Sequence, residues 1–122
     1  MRKLVKLDRP LYHGTSFIRG LYIYVEGFKP PIYATTNLRR AIHYARARAA
    51  LDGDDKYSIF TIVKLPKGTT AIADTYSRAE PDQFIITSKI PLYSWKRRDY
   101  RLKATKEELV RLQAFATAMS WR

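Results

Sequence analysis

The alternation of apolar and polar positions predicts a long amphipathic helix in the first half of the chain. Asn37 has the side chain of an N-cap, and the helical pattern after it extends over residues 38 to about 51. A turn rich in Asp and Gly at residues 52–55 ends this helix. Its apolar side chains recur at i, i+4, i+7 and i+11, on one helical face: Leu38, Ile42, Ala45 and Ala49.

Two further helices are indicated by their capping residues. Thr105 followed by Glu108 forms a capping-box pattern, and the apolar stripe after it is expected to pack in the core. An earlier helix over residues 17–25 is predicted between Ser16 as N-cap and Gly27, although its tyrosines also suit a strand. The stripe of the last helix consists of Leu109, Leu112, Ala116 and Met119.

Short segments rich in β-branched and aromatic residues predict strands. Residues 9–15 are expected to form one that runs into a turn at Gly14, and Pro10 should restrict it to a strand start or a sheet edge. Residues 57–65 are expected to form a central strand. The order of elements predicts a single α+β domain over residues 1–122, with a mixed or antiparallel sheet and flanking helices. The other predicted strands are 32–35, 70–73, 83–88 and 90–95, the last bent or at an edge because of Pro91.

The amino-acid composition excludes several kinds of functional site. The chain has no cysteine, which excludes a disulfide framework, a cysteine zinc site, a thiol nucleophile and an iron–sulfur cluster. Two histidines are too few for a His-rich metal site, so no metal is expected. The sequence has neither an apolar run of about 18 residues nor the apolar segment of a signal peptide. We therefore expect a soluble, cytoplasmic protein with no membrane partner.

The strongest compositional feature is positive charge. With 23 Lys and Arg against 11 Asp and Glu, the net charge is +12, which favours nucleic acid, an acidic protein face or a phosphate-bearing small molecule. The densest basic run is either a solvated loop or, with Tyr93, Trp95 and Tyr100 interleaved, a surface for nucleic acid. This run consists of Lys96, Arg97, Arg98, Arg101, Lys103 and Lys106.

Four short motifs follow one another over residues 11–92. The first is Tyr-His-Gly-Thr at residues 12–15; the second and third are Tyr33 on a predicted strand and Tyr44, eleven residues later, on the predicted helix. The fourth is Gln-Phe-Ile-Ile at residues 83–86. In this order they resemble the H-Y-E branch of the ADP-ribosyltransferase fold, which includes diphtheria toxin and the poly(ADP-ribose) polymerases. The last motif matches in all but its first residue, where the family has Glu.

The resemblance implies a split β-sheet and NAD+ as co-substrate. It implies that Tyr33 and Tyr44 sandwich the cationic nicotinamide ring, an attraction of roughly 0.5–2 kcal/mol. His13 and Thr15 would bind ribose hydroxyls. Gly14, lacking a Cβ, would present its backbone to the nicotinamide amide. The implied reaction is cleavage of the nicotinamide–ribose bond and transfer of ADP-ribose to a protein or nucleic acid.

Gln83 is the main departure from the family pattern. A glutamine can bind a ribose hydroxyl, but it supplies neither negative charge for an oxocarbenium-like transition state nor a base. Three explanations are open: Asp82 or Glu80 supplies the carboxylate, transfer of one unit proceeds without it, or the site binds NAD+ without catalysis. Asp74 is a further candidate acid, although a turn residue is the simpler interpretation. Because chain elongation in the family depends on the Glu, single-unit transfer is favoured over polymer formation.

Two kinds of partner follow from these interpretations. In the enzyme hypothesis the loop over residues 74–82 recognises the acceptor, with Tyr76 and Arg78 as its candidate residues, by analogy with the family. The small size resembles bacterial or phage versions of the fold, which often act as toxins or effectors. In the alternative hypothesis the fold is a non-catalytic module that binds nucleic acid or an acidic partner through Lys96, Arg97, Arg98 and Arg101. The oligomeric state is left open.

Overall fold

Most of the chain forms regular secondary structure. The computed structural model describes residues 4–30, 32–69, 71–73, 83–86, 90 and 95–119, and within these ranges lie six strands and three helices. The strands are β1 (Leu4–Ser16), β2 (Ile32–Thr35), β3 (Lys56–Pro66), β4 (Ala71–Ala73), β5 (Gln83–Ile86) and β6 (Trp95–Arg101). The helices are α1 (Phe17–Glu26), α2 (Leu38–Asp52) and α3 (Lys106–Met119).

The strands form one sheet in the order β4-β5-β2-β1-β3-β6, with antiparallel pairing between each described pair of neighbours. Helices α1 and α2 lie on opposite faces, because Gly20 of α1 approaches Ser58 whereas Ala45 of α2 packs on Ile59, the next residue of β3. The α+β class is thereby confirmed, with an antiparallel sheet. Among the described helices, none combines the length and apolarity needed to cross a membrane.

Strand β1 is longer and more interior than the sequence predicted. It begins at Leu4, so Pro10 does not mark a strand start. Strand β1 lies between β2 and β3, but among the described residues its register pair with β2 is Tyr12 with Thr35, so the alternative that Pro10 lies at a local sheet edge stays a prediction. Its register against β3 shifts between Lys6 and Leu11, which places Pro10 inside an irregularity of the ladder. Such an irregularity tolerates a residue without a backbone N–H.

Helix α2 buries two of the four residues of the predicted stripe, Ala45 and Ala49, together with three other alanines. Leu38 is 44% exposed, whereas the buried residues are alanines. The prediction assumed one apolar face, but α2 packs against β1 and β3 on one side and against α3 on another. Small side chains on both sides allow the helix to lie close to its neighbours. The buried alanines of α2 are Ala41, Ala45, Ala47, Ala49 and Ala50.

The capping predictions are confirmed at each helix. Ser16 caps α1 and Gly27 ends it, and Asn37 caps α2. At α3, Glu108 N–H donates to Thr105 Oγ1 at 3.1 Å, and Thr105 N–H donates to the Glu108 carboxylate at 3.4 Å. These reciprocal bonds satisfy two backbone donors that a helix N-terminus would otherwise leave without a partner.

The basic run after Trp95 is a strand rather than a loop. Strand β6 begins at Trp95 and pairs with β3 along the sheet edge, so the alternative of a solvated loop is wrong for residues 95–101. Of the predicted strand 90–95, residues 91–94 lie outside the described part of the chain. The predicted strands at 32–35, 57–65, 70–73 and 83–88 correspond to β2, β3, β4 and β5, within the described residues.

The capping box makes a prediction about stability. Replacing Thr105 with Ala removes the hydroxyl that accepts from Glu108 N–H, so the free energy of unfolding should fall by about 1 kcal/mol. Val110→Ala is a control in the same helix, because the Val110 side chain is 64% exposed, and it should be neutral or slightly stabilising since Ala is the better helix former. Urea unfolding measures both. Equal stability of Thr105→Ala and wild type would contradict the cap's contribution.

Candidate active site

The candidate site lies where strands β1 and β2 separate. Among the described residues, Tyr12 opposite Thr35 is the register pair that joins them, whereas β1 continues to pair with β3 as far as Ser16. Residues 13–15 of β1 therefore lack a backbone ladder on their β2 side. On the far side of β2, Thr35 pairs with Gln83 of β5. The first, second and fourth sequence motifs thus meet around one strand junction.

A side-chain hydrogen bond spans this opening. His13 Nδ1 lies 2.6 Å from the backbone oxygen of Tyr33, and since a carbonyl only accepts, Nδ1 carries the proton. Burial lowers the pKa of His13, and the bond to Tyr33 raises it by a smaller amount. The imidazole is therefore neutral at pH 7, with Nε2 as a hydrogen-bond acceptor.

A cavity of about 590 Å³ opens at this junction. Its walls come from β1, β2 and all three helices, and its volume is typical of small-molecule sites. It contains every predicted NAD+-binding residue, although these are spread over 32 positions of the sequence from 13 to 44. Those residues are His13, Gly14, Thr15, Tyr33 and Tyr44.

The two tyrosines reach the cavity from opposite elements. Tyr33 is 39% exposed on β2 between two buried neighbours, so strand alternation directs it away from the core. Tyr44 extends from α2, as the resemblance implied, and its ring stacks on Phe115 of α3 with centroids 5.5 Å apart and an angle of 27°. Phe115 thus supports one side of the Tyr44 ring.

Gly14 is required by helix packing. A Cβ at this position would clash with the backbone oxygen of Ala41 and would lie 2.9 Å from Ala45 Cβ. The missing Cβ is therefore explained by α2, which occupies that side of the residue, and the expected contact of the Gly14 backbone with nicotinamide stays a prediction. Gly14 still lines the cavity, and its small size allows α2 to carry Tyr44 to the same wall.

Several cavity residues were missed by sequence reasoning. Arg19 and Tyr22 of α1 and Arg48 of α2 line the wall, as do Phe115 and Met119 of α3. Arg48 follows Tyr44 by four positions, and this spacing on one helix face was a usable signal. The α3 residues had no such signal, since an apolar stripe on a terminal helix is explained by core packing alone.

The remaining predicted catalytic and acceptor residues are only partly described. Gln83 begins β5, and its backbone pairs with Thr35, which lines the cavity. Five predicted residues lie outside the described part of the chain and stay predictions: Asp74, Tyr76, Arg78, Glu80 and Asp82.

The predicted basic surface divides between the two faces of β6. Lys96 and Arg98 are exposed on one face, and Arg101 is exposed on the other. Arg97 is different, because its side chain is 11% exposed, its Nε donates to Asp99 at 2.9 Å, and its guanidinium lies 5.3 Å from the Phe17 ring. The expectation that Arg97 contacts a partner is therefore wrong: its charge is neutralised and covered by α1.

The cavity combines a neutral imidazole acceptor, four phenol rings (Tyr12, Tyr22, Tyr33 and Tyr44) and two guanidinium groups. Such a set suits a ligand with an aromatic ring, hydroxyl groups and negative charge. Within the described ranges, no group of three or more His, Asp or Glu side chains has the arrangement of a metal site. Comparison with protein-family models and with curated proteins finds no match for this sequence.

The packing at Gly14 is open to a direct test. Gly14→Ala should lower the free energy of unfolding by about 1–3 kcal/mol, because α2 must move away from β1. Gly68→Ala separates backbone strain from packing: its Cβ meets open space, so its cost of roughly 1–2 kcal/mol comes from the left-handed backbone, and it should leave the near-UV circular dichroism unchanged.

Thermal and urea unfolding give the two free energies, and the Gly14 variant should also disturb near-UV circular dichroism of the cavity tyrosines. A Gly14→Ala protein as stable as wild type would show that α2 does not approach β1 this closely.

Proposed function

We propose that the cavity binds NAD+ and that the protein transfers a single ADP-ribose unit from it to a macromolecular acceptor. The observation that carries this proposal is the meeting of His13, Tyr33 and Tyr44 in one cavity. These residues come from a strand, a second strand and a helix, and they have the types and order of the H-Y-E ADP-ribosyltransferases.

The aromatic side chains suit the nicotinamide ring. The ring is planar and positively charged, and the face of a phenol attracts a cation by roughly 0.5–2 kcal/mol. Tyr33 and Tyr44 line the cavity from β2 and α2, and Phe115 fixes the orientation of Tyr44 by stacking on it. A rigid ring loses less entropy than a mobile one when a ligand binds.

His13 and Thr15 suit the ribose. The Nδ1 proton of His13 is engaged by the Tyr33 oxygen, so Nε2 is available to accept from a ribose hydroxyl. A neutral imidazole is the right form, because a protonated one would repel the positive charge that develops at C1′. Thr15 lines the same wall two residues along β1, with its side chain on the same strand face.

In the proposed reaction the bond from C1′ to the nicotinamide nitrogen breaks, and its electron pair neutralises the pyridinium ring. Neutral nicotinamide leaves, an acceptor nucleophile forms the new bond to C1′, and its proton passes to water. At the sequence position of the family's Glu this chain has Gln83, and a neutral amide stabilises a sugar cation less than a carboxylate does, a difference of about 1–2 kcal/mol for one hydrogen bond. Slow transfer of one unit is the activity that fits this chain.

Ring binding is tested by Tyr44→Ala, with Tyr100→Ala as a matched control on β6, outside the lining of the cavity. Calorimetry with NAD+ should give a dissociation constant about tenfold higher for Tyr44→Ala, because one face of the nicotinamide loses its aromatic partner. Tyr100→Ala should bind as wild type does.

The transfer step is followed with NAD+ labelled in its adenylate phosphate and a cell lysate as acceptor source. Wild type should label a protein or nucleic acid, and His13→Ala should not. Equal NAD+ affinity of wild type and Tyr44→Ala, or labelling that does not depend on His13, would contradict the proposal.

A second candidate function, nucleic-acid binding by the sheet edge, is favoured by one observation. Lys96, Arg98 and Tyr100 lie on the same face of β6, and Tyr100 stacks on Tyr57 of β3 with centroids 5.4 Å apart. Exposed cations beside an exposed aromatic ring are typical of single-strand binding surfaces. The same surface would bring a nucleic-acid acceptor to the protein.

The prediction for this surface concerns salt dependence. If Lys96 and Arg98 each contact a phosphate of single-stranded RNA, replacing both with Gln should reduce the slope of log K against log salt by about 1.4, at roughly 0.7 per contact. The control is the double variant Lys64→Gln and Lys67→Gln, which removes the same charge near the far end of β3. Equal slopes for the two double variants would exclude β6 as the binding surface.

A further inference from the structure

Two arginines share one carboxylate at the wall of the cavity. Arg19 of α1 donates from Nε to Asp52 Oδ2 at 2.9 Å, and Arg48 Nη1 of α2 lies 3.9 Å from Asp52 Oδ1. Both arginines line the cavity. Asp52 also accepts from the Ser16 hydroxyl at 2.6 Å. Two positive charges therefore share a single negative one, and the group of Arg19, Arg48 and Asp52 carries a surplus of +1. The nearby Asp54 carboxylate accepts from the Ile18 backbone N–H at 3.1 Å.

Arg48 and Asp52 are largely shielded from water, whereas the Arg19 side chain is 55% exposed. The Arg48 side chain is 26% exposed and that of Asp52 is 21% exposed. Burial and the nearby Arg19 lower the pKa of Arg48, and Asp52 offsets them only in part. An arginine stays protonated in such surroundings, so its charge remains to be compensated. An anion from solution would supply that compensation.

The guanidinium groups also keep donors for a ligand. Each has five N–H groups. The described contacts to Asp52 use Nε of Arg19 and one terminal nitrogen of Arg48. The planar arrangement of the remaining donors matches the oxygens of a phosphate group. Because the two arginines come from different helices, they can approach one ligand from two sides.

We propose that Arg19 and Arg48 form a binding site for the diphosphate group of a nucleoside diphosphate, with Asp52 holding both guanidiniums at the cavity wall. This inference rests on the proposed function only for the identity of the ligand as NAD+. The same cavity would then hold the nicotinamide end of NAD+ against Tyr33 and Tyr44. The diphosphate site itself stands on the arginines and their shared carboxylate.

The test compares ligands with and without the diphosphate. ADP-ribose and adenosine are titrated by calorimetry into wild type, Arg48→Gln and Arg19→Gln. Each variant should bind ADP-ribose about tenfold more weakly or worse, since each loses charge-assisted hydrogen bonds, and its weak binding of adenosine should stay within twofold of wild type. Arg39→Gln, an exposed arginine of α2 outside the cavity lining, is the control and should bind ADP-ribose as wild type does.

Folding of each variant is checked by circular dichroism. Should Arg48→Gln unfold, Arg19→Gln still decides the question, because its side chain is 55% exposed and its removal leaves the core intact. Unchanged ADP-ribose affinity in the folded arginine variants, or no binding of ADP-ribose by wild type, overturns the diphosphate site.

The outcomes for the site and for the enzyme are separable. Loss of ADP-ribose binding in the arginine variants, with no labelling of any acceptor by wild type, would retain the diphosphate site and contradict the transferase. Binding of NAD+ that depends on Tyr44 but not on Arg19 or Arg48, together with His13-dependent labelling of an acceptor, would retain the transferase and contradict the diphosphate site.

Discussion

The hydrogen bond from His13 to the Tyr33 carbonyl is the contact on which the site depends. It lies where the ladder between β1 and β2 ends, and it ties the two strands together beyond their register pair. The same bond fixes the imidazole tautomer, so Nε2 becomes the acceptor. It also holds the backbone of Tyr33, whose ring lines the cavity. One contact therefore sets strand separation, imidazole chemistry and ring position together.

The helices complete the cavity because their residues are small where they touch the sheet. Gly14 allows α2 to approach β1 closely, and Ala41 and Ala45 are the residues it meets. This approach brings Tyr44 to the cavity wall. Helix α3 then packs on α2 through Ala47 and neighbouring residues, and it covers part of the opening. Each additional methyl group at these contacts would move a cavity residue.

Features that depend on residues close together in the sequence were predicted better than features that depend on contacts between distant residues. The caps at all three helices followed from short motifs with a fixed geometry, whereas the gathering of Tyr33 and Tyr44 was implied by the family resemblance. The interior position of β1 could not be predicted from such motifs, because the ladder irregularity around Pro10 depends on the partner strand β3. Exposure of Leu38 and burial of Arg97 likewise depend on which elements pack against them. The pairing of Arg19 with Asp52 joins positions 33 residues apart, which periodicity cannot reveal.

The state of the His13 ring tests this account most directly. Nitrogen-15 NMR distinguishes the two ring nitrogens, and a His43→Gln variant assigns the signals, since the chain has two histidines. The account predicts a protonated Nδ1, a bare Nε2, a titration midpoint below the usual histidine range, and a shift of the Nε2 signal when NAD+ is added. Two results would contradict it. One is a proton on Nε2 at neutral pH, and the other is a His13 titration midpoint in the usual histidine range with an Nε2 signal that does not shift when NAD+ is added.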